Sequence, residues 1–328
     1  MKQTLVIGST VVDVLLDLPR IPLRGEDVNI NSCTYRLGGC AYNVYKALCL
    51  FDSPARLCSP VGTGFYGSMV REAFAAGGID PFVNLEAENG CCYCLVDGDG
   101  ERTFLSYHGA EYVFARSWMA NIDYSRVDSI FICGIEVEDP SGNEIVDFVC
   151  EHSQACPAGT PELYFAPGPR ILHIMPGRLK RIFACHPVLH LNETEACSFA
   201  GRLAYGDGSE SGGFAVIPDV EEAAEILTGH TNNAVVITLG ERGCYYRAAP
   251  LLTRAGKAGS TTIAVCGYAR GFPAAVKDTV GAGDAHCGAL IAARKQGKSL
   301  GEACEIANKV GAAVVGISGA ALEKLPEV

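Results

Sequence analysis

The chain has 328 residues, 48% of them hydrophobic and 19% charged, which is enough to bury one large α/β domain or two smaller ones. A net charge of −11 and a pI of about 5.1 argue against the broad basic face that binds nucleic acid or an anionic membrane. No stretch is long and apolar enough to predict a transmembrane helix.

The amino terminus and the cysteines indicate the cellular compartment. Residues 1–8 are typical of a short strand and not of a secretory signal, because they carry one early Lys and no small-residue cleavage site. We therefore expect a cytoplasmic protein. The chain has 16 cysteines, and several lie in apolar runs, where Cys behaves as a small hydrophobic residue. Reduced thiols are the expectation in that compartment.

Strand-like and helical segments alternate along most of the chain. The predicted strands are 4–8, 56–61, 129–133, 162–166, 187–191 and 234–239. The predicted helices are 41–51, 65–76, 142–152, 176–183, 193–200 and 220–227, followed by a β-rich stretch at 244–265 and helices at 282–296 and 300–315. This alternation, with near-continuous apolar strands, predicts a doubly wound, mostly parallel sheet covered by helices on both faces.

Two pairs of predicted strands have no helix between them and cannot belong to that core. They are 11–18 with 28–35, and 91–96 with 102–107, the second pair joined by the hairpin sequence DGDG at 97–100. We expect a small β lid, contributed by about 11–36 and 90–108, on a single α/β domain that spans 1–328. The Gly- and Ser-rich residues 206–213 are expected to form a flexible surface loop.

The most informative segment is the run 277–284 (KDTVGAGD), which leads directly into a predicted helix. Gly281 and Gly283 let the backbone approach a ligand closely. With Ala282 between them, their N–H groups lie at the positive end of the helix dipole, an anion hole suited to a phosphoryl group. Asp284, in the first helical turn, can take a proton from an attacking hydroxyl. Taken alone, the same residues could form a tight turn and a helix cap.

Four segments of the chain resemble signatures of a known family. The run that ends at Asp284 resembles the C-terminal signature of the ribokinase-like, or PfkB, carbohydrate kinases. Residues 38–43 (GGCAYN) resemble its di-glycine signature, 192–195 (NETE) its Asn-x-x-Glu metal motif, and 236–243 (VITLGERG) its nucleotide-side strand and turn. The resemblance covers essentially the whole chain. It implies a ribokinase-like fold and transfer of a phosphoryl group from ATP to a hydroxyl of a sugar or sugar-like molecule.

The resemblance also implies roles for individual residues. Asp284 corresponds to the general base, and the anion hole is formed by Gly281, Ala282 and Gly283. Acceptor contacts are implied for Asp13, Gly38, Gly39, Asn43 and Glu136. Nucleotide contacts are implied for Asn192, Thr238, Gly240, Gly243 and Asn308, the last beside the adenine.

Two metal roles follow from the same resemblance. Asn192 and Glu195 correspond to the pair that holds Mg²⁺ through water, and some relatives bind K⁺ through a residue like Asp278. Without the family, Asn192 and Glu195 would be interpreted as a helix capping box, and both interpretations can hold together. The family further suggests a homodimer formed through the lid.

The acceptor remains open because the sequence departs from the family there. Cys40 stands where several relatives carry Lys, and Tyr42 and Tyr45 stand where small residues are usual. A nucleoside is therefore an alternative acceptor, with Tyr42, Tyr45 or Tyr107 stacking on the base. A catalytically silent sugar-sensing protein of the same fold is a further alternative.

Three other signals are weaker. Residues 62–67 (GTGFYG) fit the dinucleotide fingerprint of an NAD-dependent oxidoreductase, but they do not follow the first strand and no acidic residue ends a convincing second strand. Residues 297–299 (GKS) lack the earlier glycine of a P-loop. Cys185, His186, His190 and Cys197 match no compact zinc spacing.

Overall fold

A computed structural model of the chain describes residues 2–98, 102–120, 122–138, 140–154, 161–206, 216–249, 265–317, 319, 322, 324 and 325. The expected hairpin tip at 99–100, most of the loop expected at 206–213 and most of the stretch at 244–265 lie outside these ranges. The fifteen described cysteines are free thiols. None of the helices in the described ranges combines the length and the apolar character that a bilayer crossing needs.

The described residues form fourteen strands and ten α-helices. The strands are β1 (Gln3–Ile7), β2 (Val11–Asp17), β3 (Ser32–Gly38), β4 (Ala55–Cys58), β5 (Pro60–Thr63), β6 (Val83–Glu88), β7 (Cys91–Val96), β8 (Arg102–Tyr107), β9 (Val127–Cys133), β10 (Glu162–Ala166), β11 (Val188–Asn192), β12 (Val235–Thr238), β13 (Gly243–Arg247) and β14 (Cys266–Arg270). The helices are α1 (Cys40–Leu50), α2 (Gly64–Ala76), α3 (Arg116–Met119), α4 (Gly134–Glu138), α5 (Gly142–Gln154), α6 (Pro176–Phe183), α7 (Glu193–Tyr205), α8 (Val220–Thr231), α9 (Ala282–Lys295) and α10 (Leu300–Val315).

The large sheet has eight strands in the order β14-β13-β12-β11-β10-β9-β1-β4. The six strands from β12 to β4 are parallel, and β13 and β14 are antiparallel. One face packs against α5 to α8 through residues such as Phe148 and Leu227, and the other packs against α1, α2, α9 and α10 through residues such as Val44 and Leu290. The predicted mostly parallel sheet with helices on both faces is confirmed.

The strand order fixes where a ligand would bind. From β1 the chain passes first to β4 on one side and later to β9 on the other. Such a reversal leaves a crevice outside the carboxyl ends of the strands, and open α/β sheets bind ligands there. The segments that follow β1, β9, β11 and β12 all meet at this edge.

The predicted lid is confirmed as a separate four-stranded sheet in the order β3-β2-β7-β8. The β2–β7 pair is parallel and the other two pairs are antiparallel. Alternation along the strands places one set of side chains on a single face, which we call the acceptor face: Asp13, Leu15, Thr34, Arg36, Cys92, Cys94, Arg102, Phe104 and Ser106. The opposite face packs in part against α2, where Tyr35 meets Phe65 edge-on.

The strand predicted at 56–61 is wrong in one respect, because it is two strands. The first, β4, pairs with β1 in the large sheet, and the second, β5, pairs with β6 in a separate two-stranded sheet. Pro60 begins β5 and has no N–H to continue the ladder. The run 62–67 therefore follows a strand outside the large sheet, which removes the context that a dinucleotide fingerprint requires.

Candidate active site

Helix α9 begins at the crevice with the residues predicted to form an anion hole. Gly281 is its N-cap with φ of 74°, and Ala282, Gly283 and Asp284 form its first turn. The first N–H groups of a helix have no partner within the helix, and the helix dipole is positive there. A methyl group placed on Gly283 would meet no atom within 4 Å, so the space in front of this turn is open to a ligand.

Close packing of α1 on α9 brings Asn43 to Asp284. A side chain at Gly288 would collide with Val44 and Ala47 of α1, so only glycine allows this approach. Asn43 Nδ2 donates a hydrogen bond to Asp284 Oδ2 at 2.9 Å. Asn43 is buried, and its Oδ1 atom has no hydrogen-bond partner among the described residues. A buried acceptor left open in this way suits a ligand hydroxyl.

The carboxylate of Asp284 has an altered proton affinity. Burial raises its pKa above the ordinary aspartate value, and the negative charge of Glu136 acts in the same direction. Hydrogen bonds from Asn43 and Cys40 act in the opposite direction by stabilising the ionised form. A carboxylate with a raised pKa is a better proton acceptor, as a general base requires.

Asp13 reaches the same crevice from the lid. It lies on β2 beside Gly38 of β3, where any side chain at residue 38 would collide with the Asp13 carboxylate. Burial, and then the charges of Asp284 and Asp278, raise the pKa of Asp13 to about 7. Three carboxylates thus gather where the lid meets α9, and a ligand that donates hydrogen bonds would relieve the cost of desolvating them.

Glu136 lies deeper, below the carboxyl end of β9. Its Oε1 accepts hydrogen bonds from the Ser9 amide at 2.8 Å and the Ser9 hydroxyl at 2.6 Å, and its Oε2 accepts one from Cys133 Sγ at 2.6 Å. Glu136 is only 1% exposed, so both carboxylate oxygens are engaged inside the protein. The structure gives Glu136 a supporting position behind the site, linking β1 to β9. Ser9 and Cys133 were not anticipated from the sequence.

Asn192 and Glu195 form the capping box of α7. Asn192 Oδ1 accepts from the Glu195 amide at 2.8 Å, and the Glu195 carboxylate accepts from the amide and side chain of Asn192. Burial, with the charge of Asp284 as a smaller cause, raises the pKa of Glu195. A carboxylate and an amide oxygen in a negative field are a donor set that fits a hydrated Mg²⁺. The capping box is confirmed, and the metal role of the same two residues stays a prediction.

The turn between β12 and β13 carries three of the residues predicted to contact the nucleotide. Thr238 ends β12, and its hydroxyl lies 3.4 Å from the carbonyl of Leu191. Gly240 has φ of 61° and open space around its Cα, whereas Gly243, with φ of 92°, lies against the carbonyl of Ala269. The turn therefore offers backbone groups and an open surface to a ligand.

Asn308 does not reach this surface. Its Nδ2 donates to the carbonyls of Ala269 and Arg270 at 3.1 and 2.9 Å, and its Oδ1 accepts from His286 Nε2 at 3.0 Å. His286 Nδ1 in turn accepts from His190 Nε2 at 2.9 Å. The Asn308 side chain is buried and its amide is engaged on both sides, so it joins α10 to β14 and is not free to contact an adenine.

Asp278 is held by the lid. Arg102 Nη2 of β8 lies 3.0 Å from Asp278 Oδ1, which also accepts from the Val280 amide at 2.9 Å, while Asp278 Oδ2 accepts from the Gly319 amide at 3.1 Å. Asp278 is buried, so this ion pair is shielded from solvent. The resemblance implied that Asp278 binds K⁺. Among the described residues, the cation that lies against the Asp278 carboxylate is the guanidinium of Arg102. The alternation of side chains along β8 places Arg102 on the acceptor face, so the sequence could have predicted that Arg102 faces the crevice.

These features define a class before any comparison with known proteins. A crevice at the switch point of an α/β sheet holds a carboxylate of raised pKa, a helix terminus open to an anion and a lid that supplies a second carboxylate. This constellation is that of a phosphotransferase with an alcohol as acceptor.

Comparison with known proteins supports the same class. The family model described as "pfkB family carbohydrate kinase" matches residues 1–327. The chain is 32% identical over 321 residues to the "Uncharacterized sugar kinase YegV" of Escherichia coli strain K12, covering 97% of this chain and 90% of that protein. The chain therefore belongs to the PfkB family: it is an ATP-binding, ribokinase-like carbohydrate kinase.

Solved structures show the same fold. The ribokinase of Cryptococcus neoformans, solved in complex with ADP, superimposes with a TM-score of 0.74 at 23% identity, covering 99% of this chain and 96% of that one. The Burkholderia thailandensis nucleoside kinase, solved with inosine, gives 0.69 at 19% identity, covering 97% and 92%. At these identities the likeness concerns the fold, and both sugar and nucleoside kinases share it.

Proposed function

We propose that this protein transfers the γ-phosphoryl group of Mg·ATP to a hydroxyl of a sugar or sugar-like molecule, with Asp284 as the general base. The observation that carries the proposal is the contact between Asp284 and Asn43 at the open amino terminus of α9. This contact fixes the carboxylate beside the first turn of α9, where the helix dipole favours an anion.

The acceptor would lie between the lid and α9. In the proposal, Asp13 and the open Oδ1 of Asn43 accept hydrogen bonds from two of its hydroxyl groups, with Gly38 and Gly39 forming the adjacent wall. A third hydroxyl then faces Asp284, which removes its proton as the oxygen attacks phosphorus. Because Asn43 contacts both Asp284 and the proposed acceptor, it couples substrate position to base orientation.

The nucleotide would lie beyond the first turn of α9. The amides of Gly281, Ala282 and Gly283 stabilise negative charge on the transferred group, which is where phosphoryl transfer gains most of its rate. Thr238, Gly240 and Gly243 line the phosphates and ribose in this arrangement. Asn192 and Glu195 would hold a hydrated Mg²⁺, and that ion neutralises charge on the β- and γ-phosphates when bound.

The lid would close over the acceptor and exclude water, which otherwise competes as phosphoryl acceptor. Large apolar side chains also remain exposed on the opposite face of the lid: Tyr35, Leu105 and Tyr107. They lie on the two edge strands, β3 and β8, whose outer backbone groups can pair with another sheet. We propose that two single-domain subunits dimerise through these strands, and sedimentation across a range of concentrations tests this assembly.

A nucleoside is the second candidate acceptor, and one observation favours it. Phe104 lies on the acceptor face of the lid and is 51% exposed, so an aromatic base could stack on it. The tyrosines first considered for this role fit less well, because Tyr42 stacks on Phe74 within the core and Tyr107 lies on the opposite face of the lid.

The deciding experiment is a screen of monosaccharides, polyols and nucleosides by release of ADP in the presence of Mg²⁺. Turnover of a sugar that is retained in Phe104→Ala supports the sugar proposal. Turnover of a nucleoside that falls at least about 10-fold in the same variant supports the alternative. Binding of a sugar without release of ADP under any Mg²⁺ or K⁺ concentration contradicts both.

A further inference from the structure

Two cysteines on the acceptor face of the lid have no part in the proposed phosphoryl transfer. The Sγ atoms of Cys92 and Cys94 are 4.0 Å apart, and a carboxylate oxygen of Asp13 lies within 4.8 Å of both. Asp13 and Cys94 are buried and Cys92 is half-buried. Within the described ranges, no other three His, Cys, Asp or Glu side chains bring their ligand atoms this close together.

The sheet register creates this juxtaposition. The parallel β2–β7 ladder pairs Asp13 with Cys92, and alternation places Cys94 on the same face two residues later. A small cavity of about 10 Å³ lies beside Asp13 and Cys94 and is also lined by Arg36 and Asp278, among others. That volume is the size needed for a single water molecule or ion.

Two sulfur atoms and one carboxylate oxygen are a donor set that selects a particular class of ion. Thiolates favour Zn²⁺ and similar thiophilic cations, whereas Mg²⁺ and Ca²⁺ take oxygen ligands. In a tetrahedral zinc site the metal–sulfur distance is about 2.3 Å and the metal–oxygen distance about 2.0–2.2 Å, so neighbouring donors lie about 3.4–3.8 Å apart. The sulfur–sulfur separation of 4.0 Å is close to that range, and rotation of the side chains would have to bring the carboxylate oxygen, now within 4.8 Å of both sulfur atoms, to the same distance. Three protein ligands would leave the fourth position open.

The surrounding charges are mixed. The carboxylates of Asp284 and Asp278 lie near enough to Asp13 to interact with its charge. Arg36, the register partner of Asp13 on β3, and Arg102, paired with Asp278, are the positive groups on the same face. From β8, the Ser106 hydroxyl lies 3.9 Å from Cys92 Sγ and can support a bound thiolate.

We propose that Asp13, Cys92 and Cys94 form a binding site for a thiophilic divalent cation such as Zn²⁺, and that the cation and the phosphoryl acceptor compete for Asp13. Binding would release the thiol protons to solvent, so affinity rises with pH. The competition rests on the proposed function, because it requires Asp13 to hold the acceptor. The metal site itself does not.

Metal binding is tested on the reduced full-length chain with Co²⁺ as a spectroscopic probe and Zn²⁺ as competitor. One equivalent of Co²⁺ should give thiolate-to-cobalt charge-transfer absorption that Zn²⁺ abolishes. Loss of an outer partner of a metal ligand costs about 10–100-fold in affinity, so the double variant Cys92→Ser/Cys94→Ser should bind at least about 100-fold more weakly. Cys33→Ser, on the opposite face of the same sheet, is the matched control and should retain the absorption.

Inhibition is tested by release of ADP at free Zn²⁺ concentrations held by a metal buffer, so that binding of Zn²⁺ to ATP does not contribute. Inhibition competitive with the acceptor and absent from the double variant, relative to its own metal-free rate, supports competition at Asp13. Undiminished cobalt absorption in the double variant overturns the site, and inhibition that is not competitive with the acceptor overturns the competition. If no acceptor is turned over by the wild type, the proposed function fails while the cobalt measurement still decides the metal site.

Discussion

On the proposed acceptor side of the crevice, the groups are charged or amide side chains: Asp13 and Asn43 are buried, and the half-buried Asp284 accepts a hydrogen bond from Asn43. On the nucleotide side, the turn between β12 and β13 offers mainly backbone, around Gly240 and Gly243. The side chain expected at the adenine, Asn308, is occupied inside the protein.

We expect the side-chain groups to determine which acceptor is bound, and the backbone groups to bind the nucleotide that all relatives use. Buried side chains that lack a full set of partners reject ligands that cannot supply those partners, because the desolvation cost is otherwise not recovered. Backbone groups at a glycine turn are insensitive to side-chain change and suit a cofactor that all relatives share. Single substitutions should therefore have large effects on the acceptor side and small effects on the nucleotide side.

The largest effect is expected for Asp284→Asn. The amide cannot accept the proton of the attacking hydroxyl, so kcat should fall about 10³-fold, within the range for loss of a general base. The change is isosteric, and the thermal unfolding midpoint should not fall. Steady-state release of ADP with the acceptor found by the screen measures it.

Glu302→Gln is a matched control for that variant. Glu302 occupies the third position of α10 as Asp284 does in α9, but it belongs to the capping box of Ser299 at the protein surface. It should lose a little stability and keep its activity. Turnover by Asp284→Asn within a few-fold of wild type would remove Asp284 from the role of base.

The second effect is expected for Asp13→Asn, which replaces a charged hydrogen-bond acceptor of the sugar. A hydrogen bond to a charged group contributes about 1.5–3 kcal/mol, so kcat/KM for the acceptor should fall about 10–100-fold, with KM for ATP unchanged. Asp17→Asn, exposed on the same strand, is the control. Equal losses in both variants would contradict a specific role for Asp13.

The same substitution should stabilise the protein without ligand. The pKa of Asp13 is raised from 3.8 to about 7 in the folded state, so the protonated form is favoured on folding and its contribution is lost as pH rises from about 4 through 7. Above pH 7, Asp13→Asn should exceed the wild type in free energy of unfolding by on the order of 2 kcal/mol, and near pH 4 the two should converge. Denaturant titrations at both pH values measure the difference.

An intermediate effect is expected for Asn43→Ala, and it appears in the pH profile. Asp284 must be ionised to act, so activity falls as pH drops through its raised pKa. Loss of the hydrogen bond from Asn43 removes a cause that lowers this pKa, so the acidic limb of kcat/KM should move to higher pH. A loss of activity of about 10-fold with an unmoved limb would indicate that Asn43 only shapes the pocket.

The smallest effect is expected for Thr238→Ala on the nucleotide side. Its hydroxyl makes one long contact with a neighbouring carbonyl, so its loss should raise KM for ATP about 2–3-fold and leave the KM of the acceptor unchanged. A change as large as that of Asp13→Asn would break the contrast between the two sides.

Much of the fold was predictable because it depends on local patterns. Apolar runs with helices between them specify a parallel sheet, and strand pairs without helices specify the lid. The break at Pro60 was missed because the apolar run continues through it. The strand β6 was missed although its apolar residues alternate with polar ones, because the run is only six residues long and mostly exposed.

The site was predictable only as far as its motifs extend. Residues in the four signatures came together at one edge of the sheet, but the contacts that position them come from distant parts of the chain. Arg102 meets Asp278 across 176 residues, and Ser9 meets Glu136 across 127. Asn308 shows the opposite case. An asparagine stands at the position expected to contact the adenine, but its side chain points inward because α10 packs on β14.

The bridge from Arg102 to Asp278 has a thermodynamic consequence. It joins the lid to the loop that precedes α9, so a ligand that favoured the proposed closed lid would also favour one arrangement of that loop. By thermodynamic linkage such an effect is reciprocal. The factor by which bound acceptor raises the affinity for nucleotide equals the factor by which bound nucleotide raises the affinity for acceptor. Each ligand would then bind more weakly to the free protein than to the protein that already holds the other ligand, so the ternary complex would form cooperatively.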